Sequence, residues 1–332
     1  MDIAQWRLVV GAAELAPSVH NTQPWRFVVL AEQALEVRAD RDRQLGSLDK
    51  SGRQLLISCG AAVEHARLSL RAMGQDVRVD VLPTDSDPDL VAVLTLLGER
   101  PADPSELALV DAMARRHTDR GAYEAADLSE AQMDQLRTGV AAFGVWAHFV
   151  RSPQDRIVVA ATLSDAEERQ AADPSYVTEI ERWTHRQRRE DGLASSRPAW
   201  PENRVSDMPL RDFSGHAQHP HPTSGEPPVV ERDALLVMGS EGDGPAAQIA
   251  AGRALAWLLL WITTEGLAGQ PLGQALDDVE SRLRLAYELR IVGHPQFLLR
   301  LGRGHSAAQA GRRGVATELA HVNTAPAAVV ES

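Results

Sequence analysis

Apolar positions along this chain recur at two periods, one typical of helices and one typical of strands. In residues 4–15 and 52–73 they fall three or four positions apart, which predicts two amphipathic helices. Gly74 follows the second stretch, where a glycine commonly ends a helix. Trp25–Leu30 and Ala34–Ala39 are rich in strand-forming residues, and the short turn between them predicts a β-hairpin.

Further along the chain the same two periods predict a mixed series of elements. They are strands at 77–82 and 91–97, a helix at 105–114, a helix, strand and helix between 128 and 163, a charged helix at 174–189, a strand at 234–238, a helix at 245–266 and a strand at 297–301. Repeated prolines interrupt the pattern at about 192–228, which predicts a long excursion that forms either a lid over the site or a linker.

One helical pattern occurs twice. Residues 252–266 repeat the pattern of residues 60–74 with the same spacing, from a glycine after a small residue to a closing glycine. Residues 146–150 likewise resemble 25–29, and 297–301 resemble 91–97. The simplest interpretation is a fused duplication with halves at 1–104 and 105–332.

Charge and cysteine content narrow the class of protein. The 332 residues carry a formal net charge of −12, which argues against a nucleic-acid surface and an anionic membrane. The single cysteine, Cys59, lies in an apolar helical pattern and predicts a core thiol in a reducing, cytoplasmic compartment. The most apolar run, residues 254–263, is too short to span a bilayer and predicts a buried helix.

A short polar loop lies between the first predicted helix and the first strand. Ser18, His20, Asn21 and Gln23 place several donors and acceptors between Pro17 and Pro24, whose backbone angles are restricted. Loops of this kind, held between two rigid elements, commonly face a ligand. The alternative is a polar turn that merely caps the helix and the strand.

A cluster of basic residues follows the helix predicted at 105–114. Arg115, Arg116 and Arg120 supply guanidinium groups that bind phosphate oxygens in pairs, and Thr118 adds a hydroxyl donor. The cluster therefore predicts a phosphate site. The alternative is a solvated basic helix end, which the helix dipole alone would favour.

The polar loop at 16–27 resembles the P-S-x-x-N-x-Q-P-W-x-F signature of the nitroreductase-like flavoprotein superfamily, and its S-x-H-N form resembles the Acg-type branch. The resemblance implies a three-layer α+β fold with FMN as cofactor. Ser18, His20, Asn21 and Gln23 would then contact or orient the flavin ring. Arg115, Arg116, Thr118 and Arg120 match the R-R-x-S/T-x-R element that holds the FMN phosphate.

Two later segments extend the resemblance. Pro271, Leu272 and Gly273 match the family turn G-L-x-x-x-P-I-x-G beside the redox edge of the flavin, although many classical nitroreductases have an acidic residue where this chain has Gly273. Arg312 and Arg313 are similar to a late basic pair that reaches the phosphate, although the proline that usually follows is absent.

The loop occurs in the first half of the chain and the arginine cluster occurs in the second. The resemblance therefore implies a pseudo-dimer within one chain, with one flavin between the halves. We expect a monomer, and a lid-like insertion at about 192–228 that covers the flavin. Within that insertion His216, His219 and His221 are a weak metal pattern, so we expect no metal site.

The resulting hypothesis is an FMN-dependent oxidoreductase that takes hydride from NAD(P)H and reduces a small organic acceptor such as a nitroaromatic or a quinone. His20 is the local candidate proton donor, and no catalytic residue is assigned. One alternative is a protein that sequesters FMN beneath its lid with little turnover. A further alternative is a flavin-dependent biosynthetic dehydrogenase or oxidase.

Overall fold

Helices and strands alternate irregularly along the chain, in an α+β architecture. The computed structural model describes residues 1–31, 33–123, 128–187, 189–194, 204–210, 229–231, 233–304, 310–315 and 319–322. Its helices are α1 Ile3–Glu14, α2 Arg53–Ala72, α3 Pro104–Met113, α4 Glu130–Ala141, α5 Pro153–Ala171, α6 Pro174–Arg182, α7 Pro245–Thr264, α8 Gln274–Asp277 and α9 Val279–Glu288.

The strands form two principal sheets and two short pairs. Their bounds are β1 Trp25–Leu30, β2 Ala34–Ala39, β3 Gln75–Val81, β4 Leu90–Glu99, β5 Val145–Val150, β6 Thr184–His185, β7 Leu193–Ala194, β8 Arg204–Ser206, β9 Val229–Glu231, β10 Ala234–Ser240, β11 Ala268–Pro271, β12 His294–Gly302 and β13 Leu319–Val322.

The two principal sheets have the same central order. The first is ordered β13-β1-β2-β4-β3 and the second β11-β12-β10-β5. Read in the same direction, β1-β2-β4-β3 matches β5-β10-β12-β11, and every neighbouring pair in these two series is antiparallel. The first sheet gains β13, which pairs in parallel with β1.

The hydrophobic core lies on both sides of the helix pair α2 and α7. Residues of α1 and α2 cover the first sheet, and residues of α4 and α7 cover the second. On β10 successive side chains alternate, so that Leu236 and Met238 face α7 while Leu235 and Val237 join α5, α8 and α9 on the other face. The second sheet is therefore covered on both faces.

The two central helices approach closely at a pair of glycines. A Cβ on Gly60 would lie 2.2 Å from the carbonyl oxygen of Ile249, and a Cβ on Gly252 would lie 2.0 Å from that of Ile57. Neither position has room for a side-chain methyl group. Because each glycine sits three residues after the isoleucine that the other glycine contacts, the contact is reciprocal.

Most elements predicted from the pattern are confirmed, including the β1–β2 hairpin with Trp25 opposite Ala39. The charged helix predicted at 174–189 was wrong in length, because it ends at Arg182 and the chain then forms β6, which pairs with β7. Within the family turn predicted at 266–274, residues Ala268–Pro271 form strand β11, since their backbone pairs with β12. Strand β13 and helices α8 and α9 were not predicted.

The predicted insertion at 192–228 is described only in part. Residues 192–194 and 204–210 are described, and the rest, including His216, His219 and His221, lies outside the described residues. Met208 and Leu210 are buried against the outer face of the second sheet. No group of metal-ligating side chains occurs within the described ranges.

Helix α7 contains the apolar run noted in the sequence. Within the part of the chain that the structure describes, α7 alone has the length and composition to cross a membrane, and 56% of its most apolar window is buried inside the protein. Its buried residues pack on α2 and on the second sheet, as in a core helix.

Candidate functional site

The polar loop between α1 and β1 adopts a sharply bent backbone. Residues Val19–Asn21 form a short 3₁₀ turn. His20, Asn21 and Gln23 have φ values of 45°, 54° and 50°, a left-handed region in which non-glycine residues are uncommon. Such strain persists only where the surroundings over-determine the conformation, and it is concentrated at functional sites.

Side chains of the loop hold its own shape. The hydroxyl oxygen of Ser18 accepts a hydrogen bond from the backbone N–H of Gln23 at 3.0 Å. The amide of Asn21 donates to the carbonyl oxygens of Gly192 at 3.1 Å and Gly311 at 3.2 Å. Ser18 and Asn21 therefore serve to position the loop and to fasten two later segments of the chain to it.

Gln23 also positions the loop and fastens later segments of the chain to it. Its Nε2 donates to the carbonyl oxygen of Glu190 at 2.8 Å, and its Oε1 accepts from the backbone N–H of Arg313 at 2.9 Å. The guanidinium of Arg313 donates to the carbonyl oxygens of Gln23 and Trp25 at 2.5 and 3.2 Å. The Arg313 side chain is thus hydrogen-bonded to the backbone at the start of β1.

Arg312 links the loop to the end of α1. Its Nη1 donates to Oδ1 of Asn21 at 3.1 Å, and its Nη2 donates to the carbonyl oxygens of Leu15 and Ala16 at 3.2 and 3.4 Å. These carbonyls belong to the C-terminal end of the helix, where a cation is favoured. Burial, and after it the positive charge of Arg312, lowers the pKa of the Arg116 guanidinium.

Arg116 is the unusual group of the site. It is 8% exposed, its Nε is buried without an acceptor, and it forms no ion pair with any residue that the structure describes. Burial, followed by the charge of Arg312, lowers its pKa to about 9. Because an unpaired buried cation is costly, Arg116 is a candidate residue for binding an anion.

The side chain of the neighbouring Arg115 lies at the protein surface. It is largely exposed, and its Nη2 is 3.0 Å from Oδ2 of Asp111 one helical turn earlier. Arg115 and Arg116 were predicted together, but the structure buries only Arg116. Their side chains diverge because they are adjacent residues at the end of a helix, where consecutive side chains face different directions.

The segment after Arg116 is held against the second sheet. Thr118 forms an isolated parallel bridge with Gly269 of β11, so this segment runs beside the predicted family turn. Arg120 is half-buried near Tyr123, and burial raises the pKa of Tyr123 although the charges of Arg300 and Arg120 oppose this shift. The structure thus brings Thr118 to β11 and Arg120 to Tyr123.

A buried network fixes that segment in place. The guanidinium of Arg300 on β12 pairs with Asp233 at 2.9 Å, and it donates to Gln270 and to the carbonyl oxygen of Gly121 at 2.6 Å each. It also lies 4.1 Å from the ring centroid of Tyr123. Because Arg300 is completely buried and fully engaged, it stabilises the backbone that presents Arg116.

The segment Pro271, Leu272 and Gly273 follows β11 directly. Leu272 is buried, and its backbone N–H donates to the carbonyl oxygen of Leu298 at 2.9 Å. Gly273 precedes α8, and a Cβ on it would lie 3.6 Å from a carboxylate oxygen of Asp277. A carboxylate therefore lies beside the position at which many relatives were expected to have an acidic side chain.

A small cavity of about 270 Å³ lies beside the loop. Arg43 borders it, donating through Nε to the carbonyl oxygen of Thr22 at 2.5 Å and pairing with Asp191. The Arg43 guanidinium also lies 5.3 Å from the ring centroid of Trp183, another lining residue. His20 is half-buried in the same loop.

Comparison with known proteins places these features in a family. The protein named "Putative NAD(P)H nitroreductase Rv3131" from Mycobacterium tuberculosis is 33% identical over 311 residues, which cover 91% of this chain and 86% of that protein. The M. tuberculosis protein named "Putative NAD(P)H nitroreductase acg" is 30% identical and covers 86% of this chain. This chain belongs to the nitroreductase family. "Probable NAD(P)H nitroreductase PigM" from a Serratia strain is more distant, at 26% identity over 89% of the chain.

Solved structures that resemble this chain do so at low sequence identity. An FMN-bound nitroreductase from Bacteroides fragilis aligns with 62% of this nitroreductase-family chain at 15% identity and a TM-score of 0.35. A nitroreductase-like protein from Anabaena variabilis aligns with 82% of it at 12% identity and a TM-score of 0.41. No family model matches the chain.

The sequence analysis did not single out one buried polar residue of this nitroreductase-family protein. His65, in the middle of α2, is completely buried, and its Nδ1 lies 3.2 Å from the carbonyl oxygen of Ala12. The charges of Arg116 and Arg312 both act on it. The only available signal was a histidine within an apolar helical pattern, which is also typical of an ordinary core residue.

Proposed function

We propose that this nitroreductase-family protein is an FMN-dependent oxidoreductase that uses NAD(P)H to reduce a small organic acceptor such as a nitroaromatic or a quinone. The observation that supports this most directly is Arg116, a buried guanidinium that has no acidic partner among the residues the structure describes and that feels the charge of Arg312. Phosphate oxygens suit such a pair, because guanidinium groups bind them with charge-assisted hydrogen bonds. Arg116 would hold the FMN phosphate, and Arg312, whose Nη atoms bond Asn21 and the end of α1, would add its positive charge nearby.

The chain's other site residues would form the rest of the cofactor site. Ser18, Asn21 and Gln23 hold the strained loop, and Thr118 joins the arginine segment to β11, which leads to Pro271 and Gly273. When bound, the flavin would supply hydride transfer, while the protein binds and orients it and excludes water. His20 is the candidate proton donor in the loop.

We further propose that the chain is an internally duplicated pseudo-dimer that acts as a monomer in the cytoplasm. The matching strand orders of the two sheets and the reciprocal glycine contact of α2 with α7 support this proposal. The site would draw its loop from residues 1–104 and its arginines from residues 105–332. One chain would thereby form the kind of site that two subunits would otherwise share.

The contacts that two later segments make with the polar loop at 16–27 favour a second function, the sequestration of FMN. Segments 189–193 and 310–313 are fastened to Asn21 and Gln23 by side-chain hydrogen bonds, and a Cβ on Gly311 would lie only 1.9 Å from the carbonyl oxygen of Arg189. Such a closed arrangement suits a protein that sequesters FMN and turns over little. A mobile cover would instead admit NAD(P)H.

Cofactor binding is tested with the Arg116→Met variant and its neighbour Arg115→Met as a matched control. We expect Arg116→Met to weaken FMN binding roughly 100-fold, because two charged hydrogen bonds are lost, and Arg115→Met to bind normally. Without FMN, Arg116→Met should raise the melting temperature, since it removes a buried cation beside Arg312. Equal FMN affinity in both variants would refute the phosphate role of Arg116.

Turnover is tested by mixing the FMN-loaded protein anaerobically with NADPH and then with NADH while the flavin absorbance is followed. Rapid bleaching, followed by reoxidation with a nitroaromatic or quinone, supports the reductase. A bound flavin that stays oxidised with both donors supports sequestration. Reduction by another substrate without NAD(P)H would instead indicate a specialised dehydrogenase or oxidase.

A further inference from the structure

A groove of about 560 Å³ lies among helices α3, α4 and α7. None of its lining residues belongs to the polar loop or to the segment around Arg116. Small-molecule sites commonly have a volume of this size. We call it the tryptophan groove, after Trp257 and Trp261, which line it.

The two tryptophans form the aromatic side of the tryptophan groove. They lie one turn apart on α7, with ring centroids separated by 6.3 Å and ring planes inclined by 20°. Both pack against the hydrophobic cluster that contains Leu109 and Leu260, yet both remain half-buried. Nearly parallel rings that are already held in place suit a planar aromatic ligand, because little further ordering is needed when it binds.

The other walls leave these rings uncovered because their side chains are small. Ala108 of α3 lines one wall, and Ala131 and Gly139 of α4 line another. A Cβ on Gly139 would lie 1.8 Å from the Trp257 ring, so this ring occupies its place only opposite a glycine. The open space therefore results from two large aromatic residues that face alanine and glycine.

Charge limits the class of ligand that the tryptophan groove accepts. Of the described residues that line it, Asp134 alone is charged, and its carboxylate accepts a hydrogen bond from the guanidinium of Arg137 at 2.7 Å. An anion would thus find no cationic partner in the lining, and an unpaired charge is costly to transfer to an apolar site. The lining favours an uncharged ligand.

Hydrogen bonding narrows the class further. The indole N–H groups of Trp257 and Trp261 have no acceptor among the described residues, and neither nitrogen is completely buried. The hydroxyls of Ser105 and Thr264 are engaged, because they donate to Asp103 and to the carbonyl oxygen of Trp261. Since an indole N–H only donates, the aromatic side of the groove calls for a ligand with an acceptor oxygen.

We propose that the tryptophan groove is a second small-molecule site, which binds an uncharged, planar aromatic compound that carries a carbonyl oxygen. The ring system packs on Trp257 and Trp261, and the carbonyl oxygen accepts a hydrogen bond from an indole N–H. The proposal does not depend on the proposed FMN function, because the groove shares no residue with that site.

Three matched probes test the ligand class by equilibrium dialysis against the full chain without flavin. 9-Fluorenone is planar, uncharged and carries a carbonyl group, fluorene lacks the carbonyl, and 9-fluorenone-2-carboxylate adds a negative charge. We expect 9-fluorenone to bind most tightly. Fluorene should bind about 5-fold more weakly through the loss of one hydrogen bond, and the carboxylate about 10-fold more weakly because its charge has no partner.

Two variants and a control test the location. Ala108→Phe places a ring in the groove and should weaken 9-fluorenone about 30-fold, because it occupies the ligand's space. Ala161→Phe places the same ring on the exposed face of α5 and should leave binding unchanged. The double variant Trp257→Phe and Trp261→Phe keeps two rings without an N–H, so the preference for 9-fluorenone over fluorene should disappear. Melting temperatures show whether each variant folds.

Several outcomes would overturn the proposal. Absence of 9-fluorenone binding to wild type would do so, and so would equal affinity in wild type and a folded Ala108→Phe variant. Equal binding of fluorene and 9-fluorenone to wild type would refute the hydrogen bond. Self-association that Ala108→Phe abolishes, without 9-fluorenone binding, would assign the groove to a second copy of the chain. A chain that bound 9-fluorenone but no FMN would refute the proposed function and support this site.

Discussion

The central helices α2 and α7 are alike at their crossing point and differ one turn later. At the crossing, Ile57 and Gly60 of α2 match Ile249 and Gly252 of α7, and each glycine lies against the carbonyl oxygen of the opposite isoleucine. Both helices end before a glycine of positive φ, 76° at Gly74 and 70° at Gly266. The shared residues are those that the close approach of two backbones requires.

Beyond the crossing the two helices carry different chemistry. At matching positions α2 has His65 and α7 has Trp257. The His65 ring is hydrogen-bonded to the carbonyl oxygen of Ala12, which lies three residues before the C-cap residue of α1. The Trp257 ring lies over Gly139, which lies three residues before the C-cap residue of α4. The neighbourhood of His65 contains buried Arg116, and that of Trp257 is an apolar groove of about 560 Å³.

The comparison separates what supports the fold from what forms a site. The crossing must be the same on both helices because packing allows no side chain there. The next turn is free to differ, since a polar cluster and a tryptophan both fill their space. The proposed cofactor site would therefore need more than the scaffold, because it would also need the positive charges of Arg116 and Arg312.

The largest expected effect tests whether the crossing is reciprocal. Gly60→Ala and Gly252→Ala should each lower the free energy of unfolding by about 4 kcal/mol, because each Cβ meets a carbonyl oxygen and the helices must separate. Urea unfolding measures this. Gly242→Ala, where a Cβ meets nothing within 4 Å, is the control. A large loss at one glycine and none at the other would break the comparison.

The contact of Trp257, one turn after the crossing on α7, is tested by a substitution at Gly139. A Cβ there would lie 1.8 Å from the Trp257 ring, so Gly139→Ala should destabilise the protein by about 2 to 3 kcal/mol despite its better helix propensity. In the Trp257→His background the same substitution should cost little, because the smaller ring leaves space. A double-mutant cycle measured by urea unfolding gives the coupling. Additive effects would contradict the contact.

The buried imidazole predicts a pH dependence that the tryptophan cannot have. Unfolded His65 binds a proton below its ordinary pKa of 6.5, whereas the folded ring resists protonation until about pH 3. Stability from this group is therefore lost as pH falls below 6.5, by about 2 kcal/mol at pH 5. Subtracting the stability profile of His65→Gln from that of wild type isolates this contribution.

Asp49 changes the pH dependence of stability in the opposite direction to His65, over an overlapping range of pH. Burial raises the pKa of its carboxyl to about 6, although it accepts bonds from the N–H groups of Gln54 and Leu55. Its protonation favours the folded state as pH falls. The uncorrected wild-type profile therefore understates the effect of His65, and identical profiles for wild type and His65→Gln would refute it.

The smallest expected effect concerns the residue before each crossing glycine. Cys59 precedes Gly60 and Ala251 precedes Gly252, and the Cys59 thiol lies 3.2 Å from the carbonyl oxygen of Pro24. Cys59→Ala makes the two positions identical and should cost about 1 kcal/mol or less, through one weak hydrogen bond and a small void. A larger loss by urea unfolding would show that the thiol has a specific function.

Local elements were predictable because they depend on neighbours in sequence. The apolar spacing indicated α2, α7 and the β1–β2 hairpin, and the loop at 16–27 stood out through its density of polar groups between prolines. The charged helix after Pro174 was placed too long because nothing local shows that residues 184–185 pair with Leu193–Ala194. Strand β13 depends on a partner nearly three hundred residues earlier.

The candidate site was predictable in its parts but not in its assembly. The sequence by itself determined the polar loop, the arginine cluster and the repeated glycine pattern, because propensity, charge and spacing are properties of short segments. Tertiary structure alone decided that Arg116 is buried while Arg115 is exposed, and that His65 lies near Arg116 and Arg312. Burial and the pKa of a group depend on what packs around it, and those neighbours come from distant parts of the chain.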